Sequence, residues 1–126
     1  MKIAVIGGGD SDLVFKLLNN LKFERTFAFS IDRKSKFNEY ARRVGFNVII
    51  VNKKFVNWED ELQKAIIDFN PDILLNFGFE EKLEKFEVFD VKDIENFIIV
   101  EFKNKVVFFG DNFSNFLDIA MLIKKQ

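Results

Sequence analysis

Residues 7–12 read Gly7-Gly8-Gly9-Asp10-Ser11-Asp12, the first group in the chain whose types and spacing could do chemistry. A glycine-rich turn from strand to helix lets backbone amides approach a phosphate at the helix N-terminus. The dinucleotide fingerprint G-x-G-x-x-G, started at Gly7, needs a glycine where the chain has Asp12. Asp10 and Asp12 also repel phosphate unless one caps the helix and the other turns away. Two readings therefore stand side by side: a ligand-binding loop at a sheet edge, and a tight turn with a good cap.

Asp32 follows the next β-rich segment. A carboxylate there can hold two ribose hydroxyls, as in NAD-binding folds. Arg33 and Lys34 beside it could attract an anion, and a solvated turn is the plainer reading. Glu80, Glu81, Glu84, Glu87, Asp90 and Asp93 offer hard oxygen ligands for Ca²⁺ or Mg²⁺. They alternate with Lys82, Lys85 and Lys92 and lack any EF-hand spacing, so they read as a salt-bridged surface and no metal site is expected. The chain has no histidine and no cysteine. That removes the usual proton shuttle, the nucleophilic thiol and the usual transition-metal ligands.

The elements that would position these residues follow from periodicity. Residues 2–6 read as a buried strand running into the glycines. Asp10 or Ser11 can cap a helix striped by Val14, Leu17, Leu18 and Leu21. Residues 26–31 form a second strand. Ser35 caps a helix with Phe37, Tyr40, Ala41 and Val44 on one face, closed by Gly45. Residues 47–51 form a third strand. Asn57 caps a helix burying Trp58, Leu62, Ala65, Ile66 and Phe69, which Asn70-Pro71 stops. Residues 72–76 are a fourth strand, with the continuous apolar run Ile73-Leu74-Leu75 that a doubly covered parallel sheet requires.

This alternation predicts an α/β fold: a right-handed, Rossmann-like parallel sheet with helices on both faces. After it the rhythm breaks. Residues 80–93 read as a short helix and an irregular segment. Residues 97–102 and 105–109 read as a hairpin about Lys103-Asn104. Phe113, Phe116, Leu117, Ala120 and Met121 stripe a terminal helix.

At 126 residues the chain is expected to be a single domain, residues 1–126, with a core over 1–83 and a divergent hairpin plus helix over 84–126. Eighteen Phe exclude a disordered chain and leave rings to spare for an interface. Nineteen basic against twenty acidic residues exclude a nucleic-acid backbone binder, which needs a basic surplus. The hairpin also lacks the basic interleaving of a base-stacking platform. No signal-peptide core and no run of ~20 apolar residues is present, so a soluble, cytoplasmic protein without membrane contact is expected.

The order of these features resembles the folate-dependent formyltransferases, the glycinamide ribonucleotide and methionyl-tRNA formyltransferases among them. Phe29-Ser30-Ile31-Asp32, Tyr40-Ala41 and Val44-Gly45-Phe46-Asn47-Val48 are similar to that family's second strand, helix and third strand. Trp58-Glu59-Asp60-Glu61-Leu62 and Asn70-Pro71-Asp72-Ile73-Leu74-Leu75-Asn76-Phe77-Gly78-Phe79 resemble its next helix, Pro-Asp, apolar strand and Gly-aromatic turn. Gly8-Gly9-Asp10-Ser11-Asp12-Leu13 is similar to its Gly-Asn-Gly-Ser-Asn-Leu turn. The likeness spans roughly residues 1–83.

The resemblance implies descent from enzymes that move one carbon from 10-formyltetrahydrofolate to an amine. It implies Ser11 on a substrate phosphate and residues 79–83 at the pterin pocket. The family's Asn-x-His-x-Ser polarises the formyl carbonyl and manages protons. Its best counterpart here is Asn96-Phe97-Ile98-Ile99-Val100, with Asn96 a remnant and Ile98 in the histidine's place. No segment carries the family's distant aspartate, and Asp12 replaces an asparagine. Conventional formyl transfer is therefore not expected.

The leading expectation is a formyltransferase-like domain without its catalytic apparatus. It would be a regulatory or partner module that takes a small anionic or folate-like ligand at Gly7, Gly8, Gly9, Asp10, Ser11, Asp12, Phe77, Gly78, Phe79 and Glu80. A nucleotide- or NAD-binding domain using Gly7, Gly8, Gly9 and Asp32 is the second. A homodimer through the Phe-rich hairpin and last helix, with no pocket ligand, is the third.

Overall fold

The computed structural model describes residues 1–7, 19, 25–79, 85–95, 97–111 and 115–125. Within them the chain runs β1 (Lys2–Gly7), β2 (Arg25–Ser30), α1 (Lys36–Arg43), β3 (Asn47–Ile50), α2 (Trp58–Phe69) and β4 (Ile73–Phe77). It continues with β5 (Phe89–Ile94), β6 (Phe97–Phe102), β7 (Lys105–Gly110) and α3 (Phe116–Lys124). The strands form one seven-stranded sheet in the order β3-β2-β1-β4-β5-β6-β7. Neighbours from β3 through β5 are parallel, and β6 and β7 are antiparallel additions. The expected α/β class, the hairpin and the terminal helix are all present.

Period-2 alternation sorts the sheet's side chains onto two faces. Ile3, Val5, Ile73, Leu75, Phe77, Phe89, Val91, Ile98 and Val100 point to one face, where Phe37 and Ala41 of α1 and Phe116 and Ala120 of α3 cover them. Ala4, Ile6, Phe29 and Leu74 point to the other, beneath Leu62, Ile66 and Phe69 of α2. Each buried ring is worth roughly 1.5–3 kcal/mol relative to exposure, so the aromatic content goes chiefly into cohesion. Phe29, Phe37, Phe89 and Phe116 are all fully enclosed.

The helix ends obey local chemistry. Ser35 Oγ accepts from the Phe37 amide at 3.2 Å, as an N-cap should. Gly45, at φ +91°, closes α1 with a Schellman pair: its own amide donates to Arg42 O and that of Phe46 to Ala41 O. Asn57 precedes α2 but makes no side-chain cap, which corrects its expected role. Its amide instead reaches Glu61 Oε1 at 3.5 Å, one turn along the helix. Asn70 ends α2 in the left-handed region, and Pro71 forbids continuation.

Residues 80–93 depart from the irregular segment expected of them. Their second half is not irregular: Phe89–Ile94 is β5, parallel to β4 and antiparallel to β6. Phe89 and Val91 point inward while Asp90 and Lys92 point out, and those charged alternates disguised a strand. The parallel part therefore has five strands rather than four. The hairpin about Lys103-Asn104 forms as expected, with both residues at positive φ, 53° and 66°. Phe102 pairs with Lys105 across it. The helix striped by Val14, Leu17, Leu18 and Leu21 lies outside the described residues. No helix among the described residues is long and apolar enough to cross a membrane.

Candidate functional site

Strand order reverses between β1 and β4: from β1 the chain winds outward to β2 and β3, then returns to β1's other side. In such sheets a crevice opens at the carboxyl ends of the two strands that flank the reversal. Asp72, at the amino end of the pair, fixes its register. Its carboxylate accepts the Lys2 amide at 2.8 Å, and its own amide donates to Lys2 O at 2.8 Å. Counting up from that clasp places Gly7 opposite Phe77 at the crevice.

Gly7 and the Phe77-Gly78-Phe79 turn, singled out separately in the sequence, thus meet at one point. Gly7 and the two Phe residues all take part in packing here. A Cβ at Gly7 would lie 2.5 Å from the Phe37 ring, so this glycine makes room for α1. Phe77 is buried against Phe37, with ring centroids 6.4 Å apart. Phe79 is buried on the opposite face, edge-on to Trp58 at 6.5 Å. Gly78, exposed and at φ +84°, is the part of this turn that faces outward.

Asn76 shapes the turn. Its Oδ1 accepts the Phe79 amide at 2.7 Å, and its Nδ2 donates to Phe79 O at 2.9 Å and to Asp90 Oδ1 at 3.1 Å. An amide set the other way would oppose donor to donor at Phe79 and acceptor to acceptor at Asp90. Asp90, opposite Asn76 in the β4–β5 pairing, is exposed at the same edge. Asn two residues before Gly is a turn signal that could have exposed Asn76. Asp90 could not be placed while β5 went unrecognised.

Asp32 reaches the same carboxyl edge just past β2. Its Oδ1 accepts the Lys34 amide at 2.9 Å, and its backbone oxygen accepts from Ser30 Oγ at 3.0 Å and Asn38 Nδ2 at 2.6 Å. One carboxylate oxygen is therefore committed to a local turn. Asn38 is 1% exposed, and among the described residues its Oδ1 has no hydrogen-bond partner. A buried acceptor left so costs roughly 1–3 kcal/mol.

Gly8, Gly9, Asp10, Ser11, Asp12, Glu80 and Asn96 lie outside the described residues. Ile98 is a core side chain of β6, 1% exposed and on the face covered by α3. Among the described residues no three acidic side chains converge as a metal site.

No protein-family model matches the chain, and no curated protein sequence does. Solved structures do match. Phosphoribosylglycinamide formyltransferase from Streptococcus pneumoniae TIGR4 superposes with a TM-score of 0.66 at 14% identity, over 98% of this chain and 91% of that one. The Brucella melitensis protein of the same name gives 0.66 at 12%, over 98% and 88%. That of Anaplasma phagocytophilum gives 0.64 at 11%, over 86% and 70%. The chain therefore has a formyltransferase-like α/β fold.

Proposed function

We propose that this chain is a formyltransferase-like binding domain that holds a small folate-like or anionic ligand and does not itself transfer a formyl group. The observation that carries the proposal is a formyltransferase-like fold in a chain with no histidine. Formyl transfer to an amine must stabilise an oxyanion and move a proton off the attacking nitrogen. Losing one oxyanion donor costs ~10²–10³ in rate, and losing proton transfer a further ~10²–10⁴. The described residues at the carboxyl edge offer carboxylates and amides, and the chain has no imidazole to set beside them.

They suit binding better. The outward backbone of Gly78, the exposed carboxylate of Asp90 and the turn at Asp32 surround the strand reversal. Asp90 is held in place by Asn76, so a ligand N–H meets an acceptor already oriented.

The test is a thermal-shift titration with 10-formyltetrahydrofolate, folate analogues, nucleotides and inorganic phosphate. A ligand at a hundred times its Kd stabilises by about 2.7 kcal/mol, a rise on the order of 10 °C for a domain of this size. The expected result is a saturable rise with a folate, reduced in Asp90→Ala. No rise with any folate would sink the ligand assignment. A rise with NAD alone, lost in Asp32→Ala, would favour the dinucleotide reading instead.

A further inference from the structure

The amino end of the sheet, opposite the crevice, holds a cavity of about 250 Å³. It lies where α2 finishes. Asn70 leaves the helix in the left-handed region, and Pro71 leads into β4. Ile66 and Leu74, both buried, line its inner part. Pro71, the half-buried Phe86 and Ile67 complete an apolar lining. Ile67 is 56% exposed, a large apolar side chain left at the rim rather than in the core.

The charged side chains on the lining are Lys85, Glu87 and Lys124. Glu87 is answered by Lys103, at 3.4 Å. Among the described residues no carboxylate pairs with Lys85 or Lys124. Lys124 Nζ donates to Asp72 O, which ties it to this end of the sheet and leaves two of an ammonium's three donors. The carboxyl end of α2 brings roughly half a negative charge here, less than either ammonium supplies. The balance at the mouth is positive, over an apolar interior.

Size narrows the occupant. An apolar cavity of about 150 Å³ takes benzene, so the volume here holds one ring together with a carboxylate. We infer that this cavity is a second ligand site, distinct from the crevice, for a small monocarboxylate with a compact aryl or alkyl body. The body meets Ile66, Leu74 and Phe86, and the carboxylate meets Lys85 and Lys124. Inorganic phosphate has the charge but nothing to set against the apolar lining. A neutral molecule of the same shape forgoes both ammoniums.

A ¹H–¹⁵N correlation titration of the full chain with 3-phenylpropanoate tests this. Saturable shifts are expected at the amides of Ile67, Asn70, Leu74 and Phe86, with a Kd on the order of 1 mM for so small a ligand. Lys85→Glu should weaken binding about fivefold. Ile67→Trp, which fills the cavity from its exposed rim, should abolish it. 3-Phenylpropan-1-ol should bind about fivefold more weakly than the acid, and inorganic phosphate should leave these amides unmoved. The dispersion of each spectrum shows that the variant is folded. No saturation by about 10 mM 3-phenylpropanoate overturns the inference. So do shifts confined to Gly78 and Asp90 at the crevice, or binding to either variant as tight as to the parent.

Discussion

A side chain at Gly7 would strike the Phe37 ring, whereas one at Gly45 would meet nothing within 4 Å. The two glycines answer different demands, and their alanine variants separate them. Gly7→Ala should lower stability by about 1–3 kcal/mol through overpacking beneath α1. Gly45→Ala should cost about 1 kcal/mol, all of it backbone strain at a left-handed cap. Urea denaturation of both checks this, and Phe37→Leu should rescue only Gly7→Ala. Asn76 makes a third case at this scale. Asn76→Ala leaves the Phe79 amide and carbonyl without their side-chain partners, an expected loss of about 1–3 kcal/mol. If Asn76→Ala melts like the parent, the carboxamide is not what shapes the turn.

Among the elements, the hairpin between β6 and β7 is turned by two non-glycine residues at positive φ. Asn104→Gly should stabilise by about 0.5 kcal/mol, because glycine takes that conformation freely. Calorimetry that showed a lower Tm would contradict this account of the turn. The same elements show what was legible in the sequence and what was not. α1 was readable because its stripe, its Ser35 cap and Gly45 agree. β4 was readable because its first three residues, Ile73-Leu74-Leu75, form the continuous apolar run of a doubly covered strand. β5 was hidden because only Phe89 and Val91 face the core, while the charges between them imitate a solvated helix. Missing β5 also left Asp90 read as one charge of an acidic surface, without its place opposite Asn76 at the carboxyl edge. Gly7 and Phe77 were each noticed, but only strand register could show that they lie opposite one another. The aromatic identity of Phe77 and Phe79 suggested ligand contact. Both are buried, on opposite faces of the sheet, where Phe77 packs against Phe37 and Phe79 against Trp58.

For the whole molecule, two helical layers cover the parallel strands, and the crevice opens where the strand order reverses. That architecture matches solved formyltransferases over nearly the whole chain at 10–14% identity, a level at which only the fold is shared. Chemistry depends on side chains, and the side chain that serves as an acid and a base at neutral pH is missing throughout. Binding and turnover should therefore separate: a folate should raise Tm while its formyl group stays in place. The most direct measurement is a single-turnover assay with the purified chain in excess over 10-formyltetrahydrofolate and glycinamide ribonucleotide, following the absorbance of released tetrahydrofolate. Release at the uncatalysed rate is expected. Release that scales with protein concentration, and formylated product to match, would contradict it.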